Sequence, residues 1–367
     1  FHTLRVASVA CAARFAKRFD PYYYGGGRNS SPERPRPGLL VAGLQCSANK
    51  RSRPPSSWSE RPAPSMVRSI IATTLLGSVR QPEPWFGLKY NMNLYRGCQH
   101  GCTYCDTRSE CYGIDNLEDV AVKTNALGLL DAELARKRVK GVIGFGSMND
   151  CYQPIEAHLR MTRQALEIIC RRGFPVHILT KSDLVLRDLD LLQQISRTYA
   201  AVSFTVTTAD EALAARVEPN APSPTRRLAA MKQCAQGGLL TGAMMMPVLP
   251  FIEDTLENIL GVVRGVHQAG GRYIVAAFGM TLRDRQREYY YHQLDQLFPG
   301  LREKYVRTFG GSYSAGATNA PGLEAAFQDE CARLGIATRI PLYQPQAAAQ
   351  ARLLLSLIHI SEPTRPY

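Results

Sequence analysis

The chain has 367 residues, 45% of them hydrophobic, enough to bury a core of its own, which excludes a wholly disordered protein. No apolar run reaches the roughly 18 residues a membrane span requires, so no membrane partner is expected. The formal net charge is +13, but residues 1–65 hold 11 Lys/Arg against 3 Asp/Glu, so the only mildly basic remainder does not by itself argue for a nucleic-acid substrate.

Taken in chain order, the first segment, 1–65, is rich in Pro, Ser, Gly and Arg and is expected to stay outside the fold. Met66 is a candidate start, followed by an alternating, strand-like Ile70 to Leu76. No charged segment runs directly into an uninterrupted apolar stretch with a small-residue cleavage site, so the cytoplasm is the expected compartment. Short apolar strands are expected at Lys89 to Tyr95, Gly141 to Phe145, Val176 to Thr180, Ala201 to Thr207, Leu239 to Met245 and Arg272 to Phe278. Helices are expected at Asn125 to Lys137, Ile155 to Arg172, Leu186 to Arg197, Ser223 to Gln236 and Thr255 to Ala269, where apolar residues recur at three and four spacing. Strand and helix alternate six times, which predicts an α/β fold, a partial (β/α)6 barrel of parallel strands with function at their C-terminal ends. A core at 66–282, a helical extension at 283–351 and a foreign tail at 352–367 complete the expected organisation. The stretch from Ser356 to Tyr367 reads like a translated sequencing-library adapter.

Ten cysteines are too few for a disulfide scaffold of this length, and four of them fall within Cys98 to Cys111. The run Tyr95-Arg-Gly-Cys98-Gln-His-Gly-Cys102-Thr-Tyr-Cys105 follows the first strand. Three thiolates on one compact loop suit three irons of a 4Fe-4S cubane and leave the fourth open to a small molecule. The alternative is a structural zinc completed by Cys111 or His100, which would make the chain a non-catalytic nucleic-acid-binding protein whose basic N-terminus meets phosphate by charge.

This Cys-x3-Cys-x2-Cys loop, with Tyr104 as the aromatic residue before its last cysteine, resembles that of the radical S-adenosylmethionine superfamily. The resemblance implies a half-barrel fold, a 4Fe-4S cluster on Cys98, Cys102 and Cys105, and reductive cleavage of S-adenosylmethionine to a 5′-deoxyadenosyl radical. It also implies an external one-electron reductant of flavodoxin or ferredoxin type. A narrower resemblance, over about Ser69 to Ile336, is to the spore-photoproduct-lyase-like, or DNA repair photolyase-like, branch. It rests on Trp85 through Cys98, Tyr104 through Tyr112, Thr180-Lys-Ser-Asp183, Met246-Pro-Val-Leu-Pro250 and Thr281 through Glu288.

The resemblance makes Ser147 and Asp150 candidates for the methionyl amino group, Lys181 for the methionyl carboxylate, and Tyr104 and Arg227 for further cofactor contacts. Glu218 and Arg226 lie in the same Glu-Pro segment as Arg227. Ser203, Thr205 and Thr207 alternate on the fourth strand and share one face, turned either to the cofactor or into a strand with satisfied hydroxyls. Met244 to Met246 and Tyr289 to Tyr291 read as packing. Spore photoproduct lyases are expected to carry a hydrogen-returning cysteine near the second-strand loop, where this chain has Ser147. A hydroxyl is a poor hydrogen-atom donor, which leaves Cys151, four residues on, as the catalytic candidate and argues against true thymine-dimer lyase activity. A nucleic-acid substrate then rests on fold-level analogy.

Overall fold

A computed structural model describes residues 67–79 and 85–345. The expected N-terminal extension and C-terminal tail lie outside the described residues, as does Met66.

All six expected strands form, Val176–Thr180 with its expected bounds and the others shortened or shifted at their ends: Tyr90–Met92, Ile143–Phe145, Ala200–Thr205, Leu240–Met245 and Tyr273–Ala276. They lie side by side in chain order, each parallel to the next, and Gly77–Ser78 adds an antiparallel edge beside the first. The sheet is open between Gly77–Ser78 and Tyr273–Ala276, as a partial barrel requires. Its period of two sorts the side chains. Ile143, Val176, Ile178, Val202 and Ile274 point into the large core shared with the helices. Leu179, Met244, Tyr273 and Val275 lie on the opposite face, where Met244, Tyr273 and Val275 join a smaller inner cluster against which Leu179, Trp85 and Phe86 pack.

The helices start where local chemistry allows. Thr255 accepts a bond from Asn258 N–H and opens Leu256–Gln268; Ser223 caps Pro224–Gln236, whose proline occupies a position with no amide to satisfy. Asp210 caps Glu211–Val217, a short helix with too few turns to show a period in the sequence.

Several elements differ from the sequence-based expectation. The strand near the beginning is Arg68–Ile70, paired with Ala121–Lys123, and does not continue to Leu76. Leu75 and Leu76 instead give their amides to the Glu133 carboxylate. Lys89 to Tyr95 divides, because Tyr95–Arg96 turns away to pair with Ala121–Lys123 in a second sheet. The helix over Ile155 to Arg172 breaks at Arg160, which is left-handed at φ 52°, into Glu156–Leu159 and Met161–Arg172. The next one opens as a 3-10 turn, Asp183–Asp188, before Leu189–Ser196. The extension carries three helices, Asp284–Leu297, Leu301–Phe309 and Ala320–Leu334. It also carries a ribbon, Gly279–Thr281 against Ser314–Gly316, a pairing of residues too far apart for local pattern to reveal.

Candidate cluster and cofactor site

The loop from Gly97 to Cys105 leaves the second sheet at Tyr95–Arg96 and is held at both flanks. Cys98 N–H donates to Leu117 O at 2.7 Å and Thr103 N–H to Val217 O at 2.9 Å. Gly97 adopts φ 95°, and a Cβ there would lie 2.6 Å from Leu117 O, so only glycine allows this turn. The loop also interlocks with the segment after the second parallel strand. Gln153 accepts from Gln99 N–H through Oε1 and donates through Nε2 to Gly97 O, Thr107 Oγ1 donates to Met148 O, and Asn149 Nδ2 donates to Tyr95 O. Cys98 and Cys102 are buried and Cys105 is half-buried. Burial pushes the Cys98 thiol up to about 12 and raises the other two, so all three are poor thiolates until a metal stabilises their charge.

A buried charge network lies against this loop at the C-terminal ends of the strands. Tyr104 donates its phenol to Glu218, Glu218 pairs with Arg227 at 2.5 Å, and Lys181 Nζ stands 3.8 Å from Glu218 Oε1. Arg227 is 1% exposed and further donates to Thr205 O and Pro222 O, which ties the network to the fourth strand. Burial works against the Glu218 carboxylate, yet Arg227 and Lys181 outweigh it and hold its pKa below the usual range. Burial likewise opposes the Lys181 ammonium, but Cys102 once it is a thiolate, and the Glu218 carboxylate at all times, raise it and keep it protonated. Glu253, on the loop after the fifth strand, takes bonds from Thr207 Oγ1 at 2.7 Å and Leu249 N at 3.0 Å, and burial raises it to about 8.

The remaining candidates separate by position. Asp150 is spent on the protein: Oδ1 accepts from Tyr152 N and Thr180 Oγ1, and Oδ2 accepts from Lys181 N at 2.6 Å and faces His100 Nδ1 at 3.4 Å. Ser147 is exposed and donates to Asn91 Oδ1. Ser203 is committed inside the barrel to His177 Nε2 at 2.7 Å and Tyr273 OH at 2.6 Å, the satisfied-hydroxyl alternative. Thr205 is buried on the same strand, and Thr207 lies beyond its end on Glu253. Cys151 is placed in the helix-covered core, 3% exposed. Arg226 pairs at the surface with Asp183.

Glu218 and His100 are the residues sequence reasoning under-weighted. Glu218 is named there only as part of a segment, yet it joins the cysteine loop to both site cations. A glutamate before a proline carries no local signal of burial. His100 is weighed only as a zinc ligand, whereas it sits 2% exposed beside Asp150.

The residues fit a cubane held by one thiolate per iron. Three cysteine thiols on one loop are the donor set that three irons of a cubane take, and among the described residues no group of three or more His, Cys, Asp or Glu stands as a single-ion site. Cys111 instead lies beside Ser109 Oγ and Arg283 Nη1. Among the same residues no helix is long and apolar enough to cross a membrane.

Comparison with known proteins agrees with this geometry. Residues 92–263 match the family model of the Radical SAM superfamily. An uncharacterized protein of Methanocaldococcus jannaschii is 37% identical over 178 residues, 48% of this chain and 66% of its own length. An uncharacterized protein of Mycobacterium tuberculosis is 32% identical over 225 residues, 59% of this chain and again 66% of its own. The chain thus spans just under two thirds of each relative. Among solved structures, spore photoproduct lyase complexed with dinucleoside spore photoproduct superposes with a TM-score of 0.56 at 15% identity, over 73% of this chain and 80% of that one. A variant of that lyase with AdoMet and the dinucleoside bound gives the same score. The family match takes in the cysteine loop and the second to fifth parallel strands, so residues 92–263 are a Radical SAM superfamily domain on a fold like that of spore photoproduct lyase, with a 4Fe-4S cluster and S-adenosylmethionine as the cofactors that superfamily implies.

Proposed function

We propose that Cys98, Cys102 and Cys105 carry the cluster, that S-adenosylmethionine lies between it and the strand ends, and that the protein cleaves it reductively to begin a radical reaction on a substrate yet to be identified. The observation that carries this reading is the contact of the cysteine loop with the Lys181–Glu218–Arg227 network. When bound, the two cofactors supply reductive cleavage of the S–C5′ bond and abstraction of a substrate hydrogen. The protein's own part is to place and to exclude. Lys181, kept protonated, presents a cation for the methionyl carboxylate; Tyr104 and Glu218 fix the loop relative to that cation. The cores on both sides keep water from the thiols.

An electron must come from outside, and a flavodoxin or ferredoxin type of protein is the expected partner. A nucleic acid remains the substrate class suggested by the fold of the lyase. The burial of Cys151 and the hydroxyl at Ser147 speak against the lyase's own hydrogen-return step.

The test is anaerobic reconstitution of the full chain with iron and sulfide, then dithionite and S-adenosylmethionine, with Cys102→Ala as control. 5′-Deoxyadenosine formed by the wild type and absent from the variant is expected. Tight zinc in place of iron, with no deoxyadenosine, would overturn the reading.

A further inference from the structure

Asp150 and His100 form a unit that the cofactor reading leaves unexplained. The resemblance assigns Asp150 to the methionyl amino group, but its two oxygens are occupied by Tyr152 N, Thr180 Oγ1, Lys181 N and His100 Nδ1. Those bonds hold the carboxylate rigidly between the second and third strand ends. His100 is a different case. It sits on the cysteine loop, 2% exposed, with Nδ1 turned to Asp150, and its Nε2 has no hydrogen-bond partner among the described residues. Its neighbour Asp150 also takes the Lys181 N–H, and Asn220 N–H, two residues past Glu218, donates to His100 O at 3.2 Å, so His100 lies beside the polar site.

A buried polar atom without a partner is costly, and such atoms in a folded protein call for an absent partner. A carboxylate beside Nδ1 settles which ring nitrogen carries the proton and leaves Nε2 with a free lone pair, the arrangement seen where a histidine is oriented toward a ligand. We infer that His100 Nε2 accepts a hydrogen bond from the methionyl amino group of S-adenosylmethionine, and that Asp150 is a positioning residue acting through His100. This rests on the proposed function and assigns its amino-acid end to a residue other than the one the resemblance names. Lys181, with its amide on Asp150 and its ammonium near Glu218, then stands on the carboxylate side of the same zwitterion.

The experiment uses the reconstituted full chain as wild type, His100→Phe and His100→Gln. Glutamine places an amide near the Nε2 position and serves as the rescue. Iron and sulfide content are measured first, then equilibrium binding of S-adenosylmethionine and of methylthioadenosine, which lacks the amino-acid end, and finally thermal unfolding of the cluster-free proteins. The expected result is a loss of S-adenosylmethionine affinity of about tenfold or more in His100→Phe, the size of one hydrogen bond to a charged group. Most of the loss is regained in His100→Gln, and methylthioadenosine binding is unchanged. Thermal unfolding of the cluster-free proteins reads separately the loss of the Nδ1 contact with Asp150, which His100→Phe removes whether or not a nucleotide is bound. Equal loss for both nucleotides, or no loss for either, overturns the inference. So does loss of the cluster from both variants while the wild type retains it, which would make His100 a requirement of cluster assembly. A wild type that takes up no iron would instead overturn the proposed function itself.

Discussion

Two buried carboxylates in this site are held in opposite states by their surroundings. Glu218 is kept ionised by Arg227 and Lys181, whereas burial pushes Glu253 up to about 8 against the opposing bonds from Thr207 and Leu249. Replacing Glu218 by Gln leaves Arg227 charged and unpaired at 1% exposure, a change expected to cost about 3–5 kcal/mol in urea denaturation of the cluster-free protein. A loss under about 1 kcal/mol would show that the pair is hydrated in solution. Glu253 predicts a pH dependence. Its folded pKa lies above the 4.5 of the unfolded chain, so the folded state binds the extra proton between those values. Its contribution to stability is whole below 4.5 and falls as pH rises through about 8. Glu253→Gln keeps the shape, with its carbonyl on Leu249 N–H and its amide on Thr207. The variant should flatten the decline across that window in denaturation curves taken at several pH values; an unchanged slope would assign it to another group.

At the scale of elements, the extension acts as a cover for the cysteine loop. Gln286, fully buried in the helix Asp284–Leu297, donates to Tyr104 O at 3.1 Å and Thr281 O at 3.0 Å and accepts from Arg283 N. Arg283 pairs with Asp106, Asp284 takes bonds from Ser109 and Glu110, and Tyr289 lies under the Arg108 guanidinium. Cys102 and Tyr104 share a core with Leu282, Tyr290 and Tyr291. Gln286→Leu would strand three buried backbone groups, at a cost on the order of 3 kcal/mol. The reconstituted variant should lose its visible iron–sulfur absorbance in air faster than the wild type. Equal bleaching would mean that oxygen reaches the cluster from another side. None of this docking is legible in the sequence. Thr281 through Glu288 serves there only as a motif of the resemblance, because the partners of its arginines and acids lie about 170 residues earlier.

At the scale of the whole molecule, the described residues are built around six parallel strands in sequence order, with a cysteine loop at the first end of their sheet and a cover at its last. The sequence alone determined the six strands, the helices between them and the cysteine triplet. Each is a local pattern: apolar runs of strand length, periods near 3.6, and thiols at fixed short spacing. It also identified Lys181 and Arg227 as candidates, through motif resemblance. The tertiary structure decided what those side chains touch. Gly146, at φ 87°, brings its loop so near the third strand that a Cβ would lie 2.0 Å from Leu179 O, and this approach carries Asp150 to Lys181 N. The same loop turns Cys151 into the core, Ser203 finds His177 and Tyr273 across the sheet, and Glu218 meets Tyr104 from 114 residues away. Burial, and with it the charge each group carries, depends on which distant segments close over a residue, and no local periodicity records that.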